Sequence, residues 1–214
     1  MKEIYIIGGG PYGEVMFELA HSCGYEVLGF YDVYEERSGE IMDTPMLGVY
    51  TDLKDSQIEG KNFIVATGDN KIRYSIMKEI NDKGGILPTL IHPSAHISKS
   101  AKIGNGVYIH AGAVIWTKAE LGDCVIISPN TVIAHHTKIG KACMISTMCA
   151  VGASLSVGDY SFFGFGSIAI TGINKVGKNV YLGAGTTVTK DTEDNVLMVG
   201  TPARVVRERE AIEE

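Results

Sequence analysis

Residues 121–151 read LGDCVIISPNTVIAHHTKIGKACMISTMCAV, and Leu121, Ile127, Ile133, Ile139, Ile145 and Val151 recur in this stretch at every sixth place. Two positions before each stands a mostly small residue: Ala119, Val125, Thr131, Thr137, Cys143 and Cys149. Glycine often follows, as in Leu121-Gly122, Ile139-Gly140 and Val151-Gly152. A period of six is neither the 3.6 of a helix nor the two of an ordinary strand. It describes one short flat strand plus one corner. The large aliphatic residue fills an axis, the small one fits the narrower space beside it, and glycine accommodates the corner backbone. Three such units close a triangular coil, so residues eighteen apart stack, and successive coils pair as parallel strands about 4.8 Å apart.

The pattern extends in both directions. Ile91, Ile97, Ile103, Ile109 and Ile115 precede this stretch, and Val157 and Phe163 follow it without a miss. After Ala169 the register slips by one and resumes at Val176, Leu182 and Val188, which predicts a bulge at a corner near residues 171–175. Residues 91–214 are therefore expected to form a left-handed parallel β-helix with a C-terminal tail.

Residues 1–90 follow another rule. An apolar run at 4–7 ends in glycines, and Val15, Met16, Leu19 and Ala20 then lie at helical spacing. Strand-like runs at 27–31 and 63–67 end at Asp32 and Gly68, and Ile72, Ile76, Met77 and Ile80 mark a later helix. Alternating strands and helices imply a parallel sheet. With three or four strands, this α/β domain is about half of a dinucleotide fold, a half-Rossmann unit.

Composition narrows the function classes. The net charge of −6 gives no basic excess for a nucleic-acid backbone. No apolar stretch is long enough for a membrane span, and the start MKEIYIIGGG lacks the features of a signal peptide. The four cysteines form no C-x-x-C pair, and scattered thiols read as reduced and cytoplasmic. Cys143 and Cys149 occupy the small inward slot, so they read as core rather than as nucleophiles. His92 and His110 are eighteen apart and share a column, but His135 and His136 do not join it. A three-histidine metal site would need another subunit, and no metal is expected.

Three features together resemble the bacterial sugar N- and O-acetyltransferases of the bacillosamine- and sialic-acid-pathway type. They are IIGGGPYGEV near the start, VIAHHTKIG around His135, and VGTPAR at the end of the repeats. The resemblance implies a homotrimer that moves acetyl from acetyl-CoA, as co-substrate, to an amine or hydroxyl of a sugar, often nucleotide-linked. It also implies active sites between neighbouring β-helices, with the N-terminal domain holding the acceptor.

Acetyl transfer from a thioester needs a base for the attacking group and a donor for the developing oxyanion. His135 lies two places after the axial Ile133, at a corner, and an ordinary histidine accepts a proton near neutral pH. Read alone, it could equally be a surface histidine at a turn; the resemblance makes it the general base. Such enzymes usually carry Glu or Asp next, whereas here His136 follows, able to orient its neighbour by hydrogen bonding but without negative charge. Ala153 stacks over His135, and its N–H is a candidate oxyanion donor. The resemblance further implies pantetheine contacts at Phe165 and Gly183. The segment Gly200-Thr201-Pro202-Ala203-Arg204 would pack on the adenine end of CoA, with Arg204 meeting a phosphate, although Pro202 could simply terminate the β-helix.

Gly8-x-Gly10-x-x-Gly13 after a strand, with Asp32 about twenty residues on, also fits a nicotinamide-dinucleotide fingerprint. The domain is short for that, and Pro11 and Tyr12 stand inside the loop. A purely structural turn is a second alternative. In the resembling family this loop faces a nucleotide sugar, and Tyr12, Asp32, Gly68, Asn70 and Arg73 fall at its contact positions. The expected activity is acetylation of a nucleotide-linked amino sugar. O-acetylation of a sialic-acid-like hydroxyl and a non-catalytic β-helix scaffold are the alternatives.

Overall fold

In the computed structural model, residues 1–33 and 37–212 are described. They form two compact units, Met1–Pro93 and Ser94–Glu214.

The first unit contains β1 (Lys2–Ile7), α1 (Pro11–Ser22), β2 (Tyr25–Asp32), β3 (Glu40–Ile41), β4 (Thr44–Val49), α2 (Asp55–Ile58), β5 (Phe63–Val65) and α3 (Asn70–Asp82). Its sheet order is β3-β4-β2-β1-β5, with only the β3–β4 pair antiparallel. Ile4, Ile6, Ile7, Phe30, Phe63 and Ile64 are fully or almost fully buried. Each such side chain contributes about 1.5–3 kcal/mol relative to exposure. Met16, Leu19 and Ala20 of α1, and Ile76, Met77 and Ile80 of α3, join this core.

Two details depart from the sequence reading. Val15 and Ile72 face solvent, at 46% and 45% exposure, whereas Arg73 is fully buried. The inward stripe of α3 is Arg73, Ile76, Met77 and Ile80. In addition, β4 extends the sheet beyond β2 without an intervening helix.

The second unit is a three-faced prism. One face stacks His96–Ile97, Val114–Ile115, Val132–Ile133, Ala150–Val151, Ile168–Ala169 and Thr187–Val188. The next stacks Lys102–Ile103, Glu120–Leu121, Lys138–Ile139, Ser156–Val157 and Lys175–Val176. The third runs from Tyr108–Ile109 up to Val196–Val199, and the antiparallel strand Arg204–Glu208 closes it. The second residue of each pair points inward, and these residues form one continuous core with Val107, Ala113, Ala119, Val125, Cys143 and Cys149. Polar groups in the small slots are satisfied locally: Thr131 and Thr137 hydroxyls donate to the carbonyls of Ser146 (2.7 Å) and Gly152 (2.6 Å). The Cys143 and Cys149 thiols do the same toward Gly158 and Gly164, which places both cysteines in the core.

The corner glycines have a different cause from the one expected. A Cβ on Gly122 would lie 2.8 Å from Lys141 N, and on Gly140 2.7 Å from Asp159 N. The next coil, not backbone freedom, excludes a side chain there. The left-handed corner position lies two residues later and carries Lys118, Cys124, Asn130, His136, Ala142, Met148, Ser154 or Tyr160, with φ between 55° and 60° or just above. The extra residue falls where the slip requires it: Thr171 and Ile173 bridge around Gly172 (φ 101°). The Asp191 carboxylate then accepts from the N–H groups of Asn174 (2.6 Å) and Lys175 (3.2 Å), which holds its carboxyl below the usual range.

Candidate functional site

His135 and His136 occupy a corner between the face bearing Val132 and the face bearing Lys138, and both are exposed. The corner is tied to the coils on either side. The His136 N–H donates to Thr117 O at 3.0 Å, and the His135 carbonyl accepts from the Ser154 N–H at 3.0 Å. The ring nitrogens His135 Nδ1 and His136 Nδ1 are 3.1 Å apart, with the rings nearly perpendicular at 87°. The Trp116 indole lies parallel to the His135 ring, 13° between planes and 6.3 Å between centroids. A ring held at one nitrogen and stacked on one side leaves Nε2 as the atom that can exchange a proton.

Ala153 stacks where expected, but its N–H is not free: it donates to Thr171 Oγ1 at 3.0 Å. The expectation that this amide is an open oxyanion donor is corrected accordingly. The Thr171 hydroxyl, accepting from the amide, keeps its own proton to donate.

Phe165, Gly183 and the terminal hairpin gather at another edge of the prism, between the Phe162 face and the Ile168 face. Phe165 is 65% exposed. A Cβ on Gly183 would lie 2.9 Å from Val199 Cγ1, so glycine is needed for the hairpin strand to pack there. Thr201 Oγ1 donates to Gly185 O (3.1 Å), and Pro202 follows a cis peptide. Ala203 N donates to Thr187 O (2.8 Å), which fixes the hairpin and leaves Arg204 exposed. Within one chain, then, the histidine corner and the Phe165 edge are separated by the whole face of Val114, Val132, Ala150 and Ile168. That face is partly or largely exposed and lacks charge, unlike the face of Lys102, Glu120, Lys138 and Lys175.

In the first unit the glycines divide by role. Gly8 has φ 118°, and a Cβ there would strike Ala66 O at 2.6 Å; on Gly13 it would meet the Gly8 carbonyl. Both are demanded by the β1–α1 turn. Gly10, the N-cap of α1, is different: among the described residues its Cβ would meet only Arg37 Nη2, at 3.9 Å. α1 begins beside it with Pro11, which has no N–H, and the Gly13 N–H donates to Gly10 O at 2.7 Å, so what this end offers an anion is chiefly the positive end of the helix dipole.

The polar residues singled out at the strand ends are largely occupied in holding loops. Asp32, 5% exposed, accepts from the Gly9 N–H at 2.9 Å and pairs with Arg37 Nε at 3.0 Å. Asp69 caps α3 by accepting from the Ile72 N–H at 2.8 Å. Arg73 donates to Thr67 O (3.2 Å) and to Asn70 Oδ1 (2.9 Å) from a fully buried position. Asp32 and Arg73, expected as direct ligand contacts, are buried here and hold the Gly9 and Gly68 loops. Burial pushes the Tyr12 hydroxyl up to about 12, against the pull of the Arg73 guanidinium. The residue missed in the sequence is Arg37, half-exposed, whose guanidinium also donates to Gly9 O beside Gly10. It lies outside the glycine fingerprint, five residues after Asp32, and no periodicity marks it.

No group of three or more His, Cys, Asp or Glu is assembled for a metal ion among the described residues. No helix among them is long and apolar enough to cross a membrane.

With this geometry in place, comparison with known proteins is informative. Residues 3–80 match the PglD N-terminal domain family, and residues 86–170 match the GMPPB C-terminal domain family. A curated UDP-N-acetylbacillosamine N-acetyltransferase of Bacillus subtilis is 34% identical over 113 residues, which span 51% of each chain. The match therefore spans about half the length of that curated relative. Among solved structures, PerB of Caulobacter crescentus, bound to CoA and GDP-perosamine, is 32% identical with a TM-score of 0.88, covering 96% of this chain and 97% of that one. Variants of that enzyme with one histidine replaced by asparagine or alanine align equally well, each with a TM-score of 0.90. The acetyltransferase domain of PglB from Neisseria gonorrhoeae, solved with acetyl coenzyme A, is 29% identical with a TM-score of 0.86, covering 96% and 99%. The chain belongs to the bacterial sugar acetyltransferases of the hexapeptide-repeat, left-handed β-helix kind.

Proposed function

We propose that this protein transfers acetyl from acetyl-CoA directly to the amine of a nucleotide-linked amino sugar, with His135 Nε2 as general base. The observation that carries the reading is the corner itself: an exposed imidazole, stacked on Trp116 and hydrogen-bonded at Nδ1, with Nε2 available. The amine lone pair attacks the thioester carbonyl carbon while Nε2 takes the amine proton. The C–S bond then breaks, and the proton passes from Nε2 to the departing CoA sulfur. The Thr171 hydroxyl, which accepts from the Ala153 N–H, supplies a donor in that column for the oxyanion.

The acetyl-CoA reading is supported by the exposed Phe165 ring, which suits an apolar pantetheine arm, and by Arg204, which suits a phosphate. Those groups and His135 stand at different edges of one prism, so a single chain does not offer both to one acetyl-CoA. A threefold assembly burying the Val114, Val132, Ala150 and Ile168 face would bring one chain's Phe165 edge to the next chain's histidine corner. For the acceptor, the positive end of the α1 dipole at Gly10 with the Arg37 guanidinium beside it suits a diphosphate. A free monosaccharide has little use for such a cradle.

The test is a thiol-release assay with nucleotide-linked amino sugars, run on the wild type and on His135→Ala. The variant should lose roughly two to four orders of magnitude in kcat with little change in the acetyl-CoA KM. Near-wild-type turnover by His135→Ala, or turnover of free sugars alongside no binding of any nucleotide diphosphate, would overturn the reading.

A further inference from the structure

We infer that His136 is a positioning residue that acts as the neutral acceptor for His135 Nδ1–H, so that the two imidazoles carry the transferred proton as one hydrogen-bonded pair. This rests on His135 being the general base and adds what replaces the negative charge beside it.

Two nitrogens 3.1 Å apart can share one proton between them. If it sits on His135 Nδ1, then His136 Nδ1 accepts, the other proton of His136 is on its Nε2, and His135 Nε2 keeps its lone pair. This neutral arrangement is competent to take the amine proton. The reverse arrangement, with His136 Nδ1–H donating, puts the His135 proton on Nε2 and disables it as a base. A carboxylate in place of His136 could only accept and would enforce the first arrangement; an imidazole permits both. On proton uptake from the amine, the shared hydrogen bond becomes charge-assisted and the pair goes from neutral to +1. A His–carboxylate pair would instead go from −1 to neutral.

The surroundings agree with a neutral acceptor. The groups stacked under and over the pair are Thr117 and Lys118 on the coil before and Ala153 and Ser154 on the coil after. Of these only Lys118 is charged, and it is a cation. On the face that begins after the corner, Glu120 and Lys138 stand side by side in register, and Glu120 pairs with Lys102 at 3.3 Å. Trp116, against His135, does not titrate in this range. The corner backbone is fixed through Thr117 O and Ser154 N, and His136 is held at φ 61°, so its ring is presented by a rigid turn.

A substitution series in the full-length protein separates the possibilities. His136→Ala should lower kcat about tenfold with both KM values unchanged. Nitrogen-15 NMR of the rings should show the His135 proton moving from Nδ1 toward Nε2. His136→Asn retains an acceptor oxygen and suits a left-handed backbone, as Asn130 and Asn195 do at equivalent corners. It should recover most of the lost rate. His136→Glu should keep kcat and move the acid limb of kcat/KM to higher pH by about one unit, because an adjacent anion favours the imidazolium. Asparagine as slow as alanine, or a glutamate variant whose acid limb does not move, would overturn the pair. A slow His135→Ala beside an indifferent His136 series refutes the pair alone. A fast His135→Ala refutes the base and the pair together.

Discussion

The two units satisfy their polar groups in opposite ways. In the β-helix the same hydrogen bonds repeat from coil to coil, and most left-handed corner residues are held by backbone: Asn130 N to Ala111 O, His136 N to Thr117 O, Ser154 N to His135 O. Their own side chains are not needed for this, and His136, Met148 and Ser154 occupy such positions interchangeably, whereas Lys118 N donates to Ser100 Oγ at 3.1 Å and Lys141 N to the Asp159 carboxylate at 2.9 Å. In the α/β unit the loops at the strand ends differ from one another, and particular side chains hold each one: Asp32 on Gly9, Asp69 on Ile72, Arg73 on Thr67. A repeating scaffold leaves its corner side chains free for chemistry. A non-repeating sheet commits its conspicuous polar residues to structure.

The strongest way to break that contrast is to disturb the ladder itself. Gly140→Val would set a Cβ 2.7 Å from the Asp159 backbone nitrogen and against its carboxylate, which now accepts from Lys141 N at 2.9 Å. Neither coil can move without straining the next. The expected loss of stability is about 3 kcal/mol, at the upper end for overpacking. Thermal or urea unfolding checks it, and a change below a few tenths would show that the coils yield where this account has them rigid.

The second test addresses the committed side chains. Arg73→Met keeps most of the buried stem but removes the donors to Thr67 O and Asn70 Oδ1. Leaving those acceptors without donors should cost about 2 kcal/mol. The damage should be seen as faster amide exchange confined to the first unit, with the β-helix unaffected. If Arg73→Met were fully stable yet lost affinity for the acceptor alone, Arg73 would be a ligand contact after all.

What was legible in the sequence follows the same division. Ile91 through Phe163 announce the β-helix because one rule governs every coil, and even the slip after Ala169 appears where the spacing places it. The corner position of His135 is legible by counting from Ile133, whereas its reading as the base rests on the resemblance. In the first unit, hydrophobic spacing put Ile72 inward and left Arg73 outside, and the structure reverses them. Local pattern cannot see that the Thr67–Asn70 loop needs an internal donor. The strand at Thr44–Val49 escaped notice for a similar reason. It lies between β2 and the two-residue edge strand β3, and half of its residues are exposed, so it carries no apolar alternation. Even the corner glycines were recognised for the wrong cause, since the steric demand comes from a residue eighteen or nineteen places on.

The smallest expected effect sharpens the contrast most directly, because it concerns the one rim residue the sequence did not flag. Arg37 is half-exposed, pairs with Asp32 at 3.0 Å and donates to the Gly9 carbonyl, and its Nη2 lies 3.9 Å from the place of an added Gly10 Cβ. The Asp32–Arg37 pair itself adds little stability, since one partner is open to water. Arg37→Ala should therefore leave the unfolding transition nearly where it is. A diphosphate at the α1 N-terminus would still meet the positive end of the helix dipole but would lose one charged donor, a loss of about tenfold in affinity. The acceptor KM should rise by that factor while the acetyl-CoA KM stays constant, and nucleotide-diphosphate binding measured by calorimetry should weaken in parallel. Gly10→Val provides the steric counterpart: a Cβ there has room in the free protein, but the side chain would occupy the approach to that end of the helix. If Arg37→Ala and Gly10→Val left both the acceptor KM and nucleotide binding unchanged, recognition would not reside at this rim.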